Sequence, residues 1–491
     1  MAISIDDPII RGSTSKASPS VDELLAADSK PLPLALRAVG NHEPGILKVP
    51  LSRYSSREFA ELEMERLWKK TWQYACREED LPNVGDRLPY TVGTLSFMIV
   101  RSGENEFKAF HNSCLHRGTR LCESLASGTT IRCPFHGWAW NPDGSLESIP
   151  SEWDFPSVTR SKDQYALPEV KLDTWGGFIF INPDPEAGPL ADALGILPEH
   201  FASFQPENRF TYAHISRKVH ANWKVTMEAF LEAYHVVETH SDSMPFTGDA
   251  STRYDLWDDG KSHISRLYTP LGVPSPLLGD EASRLMAVQG LAQVMALAAG
   301  PDVPPPQVTS AETGRAEVAE WRRQTMGAAL NRDLSAVSDA ELVDTIQYFM
   351  FPNFCPWFGE GLPLVYQFLP LGDDPDWSVM NIRLTAPIPG GAPRPPSAPI
   401  VSIGPDESFH DKAPDLGILS HIFDQDMGNL PMVQGGLKRD DHDHELGKLP
   451  QIQRGLKSAS HQEAILGRYQ ESRIAHFHEV LGKVLAVVEG Q

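Results

Sequence analysis

Two short motifs place sulfur and imidazole donors at spacings that suit iron–sulfur chemistry. Cys114-x-His116 is followed, after sixteen residues, by Cys133-x-x-His136. Each half offers one thiolate and one ring nitrogen. A [2Fe–2S] cluster with two thiolates on one iron and two imidazoles on the other needs this donor set. A structural zinc ion can also take two cysteines and two histidines. Zinc-finger spacing, however, puts both cysteines in one half and both histidines in the other. Mixed halves suit a cluster whose two irons differ.

A second group of candidate ligands lies further along. Asn222-Trp223-Lys224 opens a segment of helical spacing that carries Glu228, Glu232, His235 and His240. Two imidazoles and one carboxylate on one side of iron(II) leave positions open for O₂. Glu232 and His235 are three apart and share a helix face. His235 and His240 are five apart, which is roughly 140° on an ideal helix. They can meet at one metal only if the helix loosens or ends between them, and Thr239, Ser241, Asp242 and Pro245 favour an ending. The bland alternative is two ordinary histidines near a helix end. Glu228 has two readings: a proton-relay or supporting group behind a metal, or a solvated helix residue.

The residues around the first motifs, CLHRGTRL and CPFHGWAWNPDGS, resemble Rieske proteins. Respiratory members carry two further cysteines in the ligand loops. Those slots here hold Thr119 and Phe135, so the resemblance points away from that class. The segment NWKVTMEAFLEAYHVVETH is similar to the iron-binding segment of the Rieske non-heme iron aromatic-ring-hydroxylating oxygenases, large (alpha) subunit. The resemblance implies a Rieske [2Fe–2S] cluster held by Cys114, His116, Cys133 and His136, and a mononuclear Fe(II) held by His235 and His240. In that family the acid matching Glu232 bridges His235 to a cluster histidine of the neighbouring subunit, which implies a role for Glu232 in catalysis. Many members read Glu-Asn where this chain has Glu228-Ala229, so the asparagine amide is not expected here. The stretch FDQDMGNLPMVQGGLK resembles the family's C-terminal carboxylate segment and favours Asp426 as third ligand, with Asp424 as fallback.

The resemblance implies the terminal component of a multicomponent oxygenase, with electrons arriving from NAD(P)H through a ferredoxin or flavin reductase. The expected reaction is dihydroxylation, monooxygenation or demethylation. It also implies a head-to-tail homotrimer, with or without a small beta subunit. The segments Met286 to Leu297 and YFMFPNFCPWF are rich in Met, Phe and Leu, which favours an apolar, aromatic or polycyclic substrate. The competing readings are a Rieske electron-transfer protein without a catalytic iron and a catalytically dead binding protein.

The elements that must position these residues read as α+β: a small all-β Rieske domain and a helix-grip-like antiparallel-sheet catalytic domain. Residues 1–45 are expected to form an extended or partly disordered arm. Residues 46–178 read as the Rieske domain, led by a helix near 50–75 that Ser55 or Ser56 could cap. Residues 179–491 read as the catalytic domain, with an insertion at about 250–340. GLPLVYQFLPLG and WSVMNIRLTAPIP predict a hairpin across a DDPD turn. A buried helix is expected at 285–299 and a long C-terminal helix from about 460 to 488. VQGGLK at 433–438 nearly repeats as IQRGLK at 452–457.

The chain has 491 residues and a formal net charge of −22, which argues against nucleic acid as a partner. Of five cysteines, Cys76, Cys122 and Cys355 remain after the cluster, and an odd scattered remainder does not form a disulfide framework. MAISIDDPIIRGSTSK lacks the basic and apolar regions of a secretory signal. The longest apolar stretch, 285–299, is too short to span a bilayer. A cytoplasmic protein without a membrane partner is the expectation.

Overall fold

The computed structural model describes residues 10–300, 302–438 and 462–486. The chain divides into two compact units. One comprises Glu61–Ala193 with Leu371–Asp373; the other comprises Met1–Ala60, Leu194–Pro370 and Asp374–Gln491.

The smaller unit is built from short antiparallel strands. Six of them run in the order Gln73–Arg77, Phe178–Asn182, Glu169–Trp175, Glu106–His111, Leu95–Gly103 and Arg87–Val92. Strand Leu95–Gly103 buries Phe97, Met98, Ile99 and Val100 in succession, so it is covered on both faces and reads as a continuous apolar run. A second sheet pairs Ile131–Arg132, Ala139–Trp140 and Leu146–Ser148. Met98, Val100, Phe110, Trp138, Trp140 and Leu146 form one core with Cys114 and Cys133. The Asn141-Pro142-Asp143-Gly144 turn closes by a Gly144 N–H bond to the Asn141 carbonyl at 2.9 Å. Gly144 has φ +88°, and a Cβ there would lie 2.5 Å from the Phe110 ring.

The larger unit carries an eight-stranded sheet. Its order is Arg253–Asp258, His263–Thr269, Thr345–Met350, Cys355–Phe358, Leu364–Pro370, Ser378–Pro387, Arg209–Val219 and Ile400–Ile403. All neighbours are antiparallel except the last pair. The expected hairpin of 364–370 with 378–387 is present, in register from Leu364↔Leu384 to Pro370↔Ser378. Helix Ser472–Leu485 packs on the strands at 253–258 and 263–269 and buries Ile474, Phe477 and Leu481. Helix Leu419–Leu437 packs on helix Trp223–Glu228.

Several expectations are corrected. The helix near 50–75 ends at Trp68, after a π-helical turn at Met64–Trp68. Gln73–Arg77 is a strand instead, because its backbone is taken up by pairing with Phe178–Asn182. Ser56 does cap the helix, accepting the Phe59 N–H at 3.1 Å. The two compact units part at residue 61, inside this helical stretch, and again at 194. The described part of the arm is packed: Val21, Leu25, Ala35 and Leu36 are buried, and a Ser20–Glu23 capping box starts a helix at Val21. The region 250–340 is not all insertion, since two of its segments are strands of the main sheet. The helix at 284–299 buries only one face, against helix Gly314–Leu330, and leaves Met286 and Leu297 exposed. The C-terminal helix starts at Ser472, because Glu463–Ile465 is spent as a strand against Lys48–Pro50. The second copy of the near-repeat, 452–457, lies outside the described residues.

The turn at Gly144 yields a stability test. Gly144→Ala places a side chain at positive φ and against the Phe110 ring, and it should destabilise the cluster-bearing unit by about 1–3 kcal/mol. Denaturant unfolding followed by cluster absorbance measures this.

Candidate metal centres

The two ligand loops of the smaller unit are near-copies of each other. In each, a cysteine begins the loop and a glycine four residues on ends it. Gly118 N–H bonds to the Cys114 carbonyl at 2.8 Å, and Gly137 N–H to the Cys133 carbonyl at 3.0 Å. Both glycines have left-handed φ, +76° and +75°, which a Cβ would oppose. The thiols of Cys114 and Cys133 meet in a hydrogen bond. His116 and His136 meet Nδ1 to Nδ1 at 3.1 Å. Sulfurs therefore pair with sulfur and nitrogens with nitrogen. That is the partition of a two-iron cluster, not the single point of a zinc ion.

Backbone amides converge on the sulfurs. The N–H groups of His116 and Arg117 favour the Cys114 thiolate, yet burial and the neighbouring Cys133 leave that thiol raised. Burial also opposes ionisation of Cys133, but the N–H groups of His136 and Phe135, with side-chain bonds from Cys114 and Thr119, outweigh it and lower its pKa. Such donors stabilise anionic sulfur. His116 stacks on Trp138 at 5.1 Å, which sets its ring plane. His136 is exposed, and so is its neighbour Phe135. Cys76, Cys122 and Cys355 are buried cysteines outside the cradle, in no disulfide among the described residues.

The larger unit gathers His235, His240 and Asp426. Nε2 of His240 lies 3.1 Å from Asp426 Oδ1, and Nε2 of His235 lies 3.6 Å from the same oxygen. Local chain geometry differs from the expectation. Asn222 caps a helix, accepting the Lys224 N–H at 3.0 Å, but this helix ends at Glu228. Glu232 and His235 stand in the non-helical stretch after it, and a short helix at Val236–Thr239 separates the two histidines. The break thus falls before His235 rather than after it. Ala233 N–H bonds to the Tyr254 hydroxyl at 3.0 Å, and Arg473 Nη1 holds the Leu231 carbonyl at 3.1 Å. These anchors satisfy backbone groups that the broken helix frees.

Each imidazole is oriented from behind. His235 Nδ1 donates to Glu232 Oε1 at 2.6 Å, and His240 Nδ1 donates to Gln425 Oε1 at 2.8 Å. With Nδ1 protonated, each Nε2 keeps its lone pair for the common point. The other Glu232 oxygen accepts the N–H groups of Tyr234 and His235. Burial lowers the His235 pKa, but Glu232 and then Asp426 outweigh it and raise it. Helix 419–437 is docked by Gln434, which accepts the Asn222 N–H at 3.0 Å, and by Asn429, which donates to Thr239 at 3.1 Å. Those two bonds carry Asp426 to the histidines. Asp424, the fallback, faces elsewhere and caps the helix at 409–412 by accepting the N–H groups of Phe409 and His410.

Three site features escaped the sequence reading. Gln425 shows no signal beyond its place next to Asp426. Tyr54 and His478 belong with Glu228, and their distance along the chain hid them. Tyr54 donates to Glu228 Oε2 at 3.0 Å, and His478 Nε2 donates to Oε1 at 2.8 Å. Arg53 donates to His478 Nδ1 at 3.1 Å. Glu228 is therefore not a solvated helix residue. Burial pushes its pKa up to about 8, against the pull of Tyr54, Lys224 and Arg53.

Residues 71–159 match the model of the Rieske [2Fe-2S] domain, and residues 201–388 match that of the ring hydroxylating alpha subunit catalytic domain. The chain belongs to the Rieske ring-hydroxylating oxygenase large-subunit family. A glycine betaine monooxygenase oxygenase subunit of Pseudomonas aeruginosa is 27% identical over 276 residues, covering 52% of this chain and 64% of that relative. An anthranilate 1,2-dioxygenase large subunit of Acinetobacter baylyi is 29% identical over 214 residues, covering 40% of this chain and 43% of the relative. These alignments thus span less than two thirds of either relative. Among solved structures, naphthalene 1,2-dioxygenase from Rhodococcus sp. bound to indole has a TM-score of 0.57 at 18% identity, covering 90% of this chain and 95% of that one. A quaternary ammonium Rieske monooxygenase in complex with L-carnitine has a TM-score of 0.57 at 17% identity, covering 89% and 96%. At such identities the likeness speaks for the Rieske oxygenase fold. Asp426 lies beyond the matched catalytic segment, so its placement rests on the geometry above. No helix among the described residues is long and apolar enough to cross a membrane.

Two measurements probe this geometry. Asp426→Ala should lower bound iron by one atom per chain and leave the visible cluster spectrum intact, as read by metal analysis and absorbance. Glu228 carries a folded pKa above its ordinary 4.5. The unfolded chain releases this proton first, so stability falls as pH rises from about 4.5 to about 8. Glu228→Gln keeps the hydrogen-bonding shape without the charge. Its stability relative to the parent should rise across that window by up to about 1.4 kcal/mol per pH unit, read by urea unfolding at several pH values.

Proposed function

We propose that this chain is the terminal oxygenase component of a multicomponent Rieske non-heme iron oxygenase. One observation carries the reading: a single chain holds a paired Cys₂/His₂ cradle in one unit and a His235–His240–Asp426 triad in the other. An electron carrier needs only the first. Once loaded, the cluster supplies electrons one at a time and the iron(II) site supplies a place where O₂ is reduced.

The chain's own residues prepare both tasks. Cys114 and Cys133 hold one end of the cluster, and His116 and His136 the other. The exposed edge at His136 and Phe135 is where a ferredoxin or flavin reductase, fed by NAD(P)H, passes electrons in. Glu232 fixes the His235 ring, and its neighbour Tyr234 is 59% exposed. In our reading Glu232 joins His235 to a cluster histidine of a neighbouring copy, which makes the working form a head-to-tail ring, a homotrimer. A carboxylate shared by two imidazoles orients both and shortens the path for the electron.

The substrate side is apolar. Phe230 packs on Tyr366, Phe368 and Phe423 at 5.2, 5.5 and 6.1 Å, and Phe423 stands one helical turn before Asp426. Such rings can receive an aryl group or, through their π faces, a quaternary ammonium. The relatives named above include proteins named for both substrate kinds. The helix at 284–299 buries its apolar face against helix 314–330, which weakens it as a pocket wall.

Glu232→Gln tests the bridge. Both metals should stay bound, while reductase-dependent O₂ consumption with product formation should drop about 10- to 100-fold. Unchanged turnover would refute the role of Glu232. Iron analysis that finds cluster iron alone would favour the carrier reading. A panel of aromatic, polycyclic and quaternary ammonium compounds identifies the substrate by ¹⁸O incorporation.

A further inference from the structure

The larger unit holds a second cluster of metal-binding side chains outside the iron triad. His42 comes from the N-terminal arm, Asp258 from the end of strand 253–258, and His476 from helix 472–485. One ligand atom from each lies within 4.8 Å of those of the others. Nε2 of His476 is 3.4 Å from Asp258 Oδ2, and the rings of His42 and His476 stand 5.1 Å apart. A third imidazole completes the group: His263 Nδ1 lies 3.1 Å from Asp258 Oδ1. That nitrogen is buried and has no hydrogen-bond partner among the described residues. Glu479, on the same helix as His476, places Oε2 3.3 Å from His42 Nε2. Lys483 stands at the edge of the group, its Nζ 3.7 Å from Asp258 and 3.3 Å from Glu479, with its side chain 56% exposed.

Three imidazoles around one carboxylate present more lone pairs than ring protons can satisfy. We propose that His42, Asp258 and His476 form a zinc-binding site, with His263 or Glu479 as fourth donor. Clustered nitrogen and carboxylate donors, two of them half-buried and one buried, suit Zn²⁺, which takes four such ligands. The elements explain its purpose. The Asn41 and His42 N–H groups already bond to the Leu256 carbonyl at 2.9 and 3.1 Å, so the arm runs along the strand that carries Asp258. A metal here pins the arm, the edge strand and the C-terminal helix to one point. Its role is structural, and it works by binding the folded state alone.

The test uses the full chain with its iron–sulfur cluster, in a His240→Ala background that removes the competing triad. Equilibrated with zinc and assayed by elemental analysis, this protein should hold one zinc that is lost on adding His42→Gln, while cluster absorbance is unchanged. Equal zinc content with and without His42→Gln overturns the proposal, as does an absence of zinc from the His240→Ala protein. Lys483→Ala gives a second readout on a surface residue. Removing the ammonium beside Asp258 should tighten zinc by about fivefold. Unchanged affinity in that variant counts against the site. Zinc should also raise the thermal midpoint of the His240→Ala protein by a few degrees, reversed by chelator, and no shift would overturn the structural role.

Discussion

A hydrogen bond behind each imidazole is the constraint on which the triad rests. A neutral histidine offers one lone pair, and its direction depends on which nitrogen holds the proton. Glu232 and Gln425 take the Nδ1 protons of His235 and His240, so both Nε2 lone pairs face Asp426. Without those acceptors either ring could flip or change tautomer, and three donors would not define a single point. The carboxylate behind His235 also adds charge to a site that burial would otherwise keep neutral. Ligand choice, ring orientation and local electrostatics thus follow from two side chains that would not themselves touch the metal.

Holding that arrangement requires a broken helix. Residues 223–239 have helical spacing, yet the chain leaves the helix at Glu228 and re-enters it at Val236. The freed backbone groups are taken by Tyr254 and Arg473, which reach in from the main sheet and from the C-terminal helix. Arg473 is fully buried, and burial lowers its pKa to about 9. Burying a cation to hold a carbonyl is costly, and it makes structural sense only where the turn it supports is needed. The same C-terminal helix contributes His476 and His478. Three of its polar residues therefore face inward to hold the arm, the strand edge and the Glu228 network.

The cluster cradle follows a different logic. Its two loops repeat one backbone pattern, so each sulfur meets inward-pointing amides and each imidazole sits at the rim. Trp138 and Trp140 form a rigid floor beneath it within the core of the smaller unit. The solvent side is left to His136 and Phe135. The donor chemistry can face a partner while the thiolates stay buried.

Much of this was legible from residue order. The cluster donors lie within twenty-three consecutive residues, and their mixed halves and terminal glycines are local features that fold locally. Strand alternation and the DDPD hairpin are likewise short-range patterns, and they reappear in register. The limits show at Gln73–Arg77 and at residues 463–465, where apolar or mixed spacing looked helical but strand partners more than a hundred residues away, or more than four hundred, took the backbone. The arm looked loose because its few buried residues gain their cover only from the larger unit.

The sequence by itself determined which atoms could bind iron, since donor type and short spacing are properties of neighbouring residues. Only the tertiary structure turned Asp426, and not Asp424, toward the two histidines, placed Gln425 behind His240, and joined Glu228 to Tyr54 and His478. Those outcomes depend on which face of a helix docks and on partners from 174 to 250 residues away. Side-chain direction and long-range closure are set by packing the whole chain, and no local pattern encodes them.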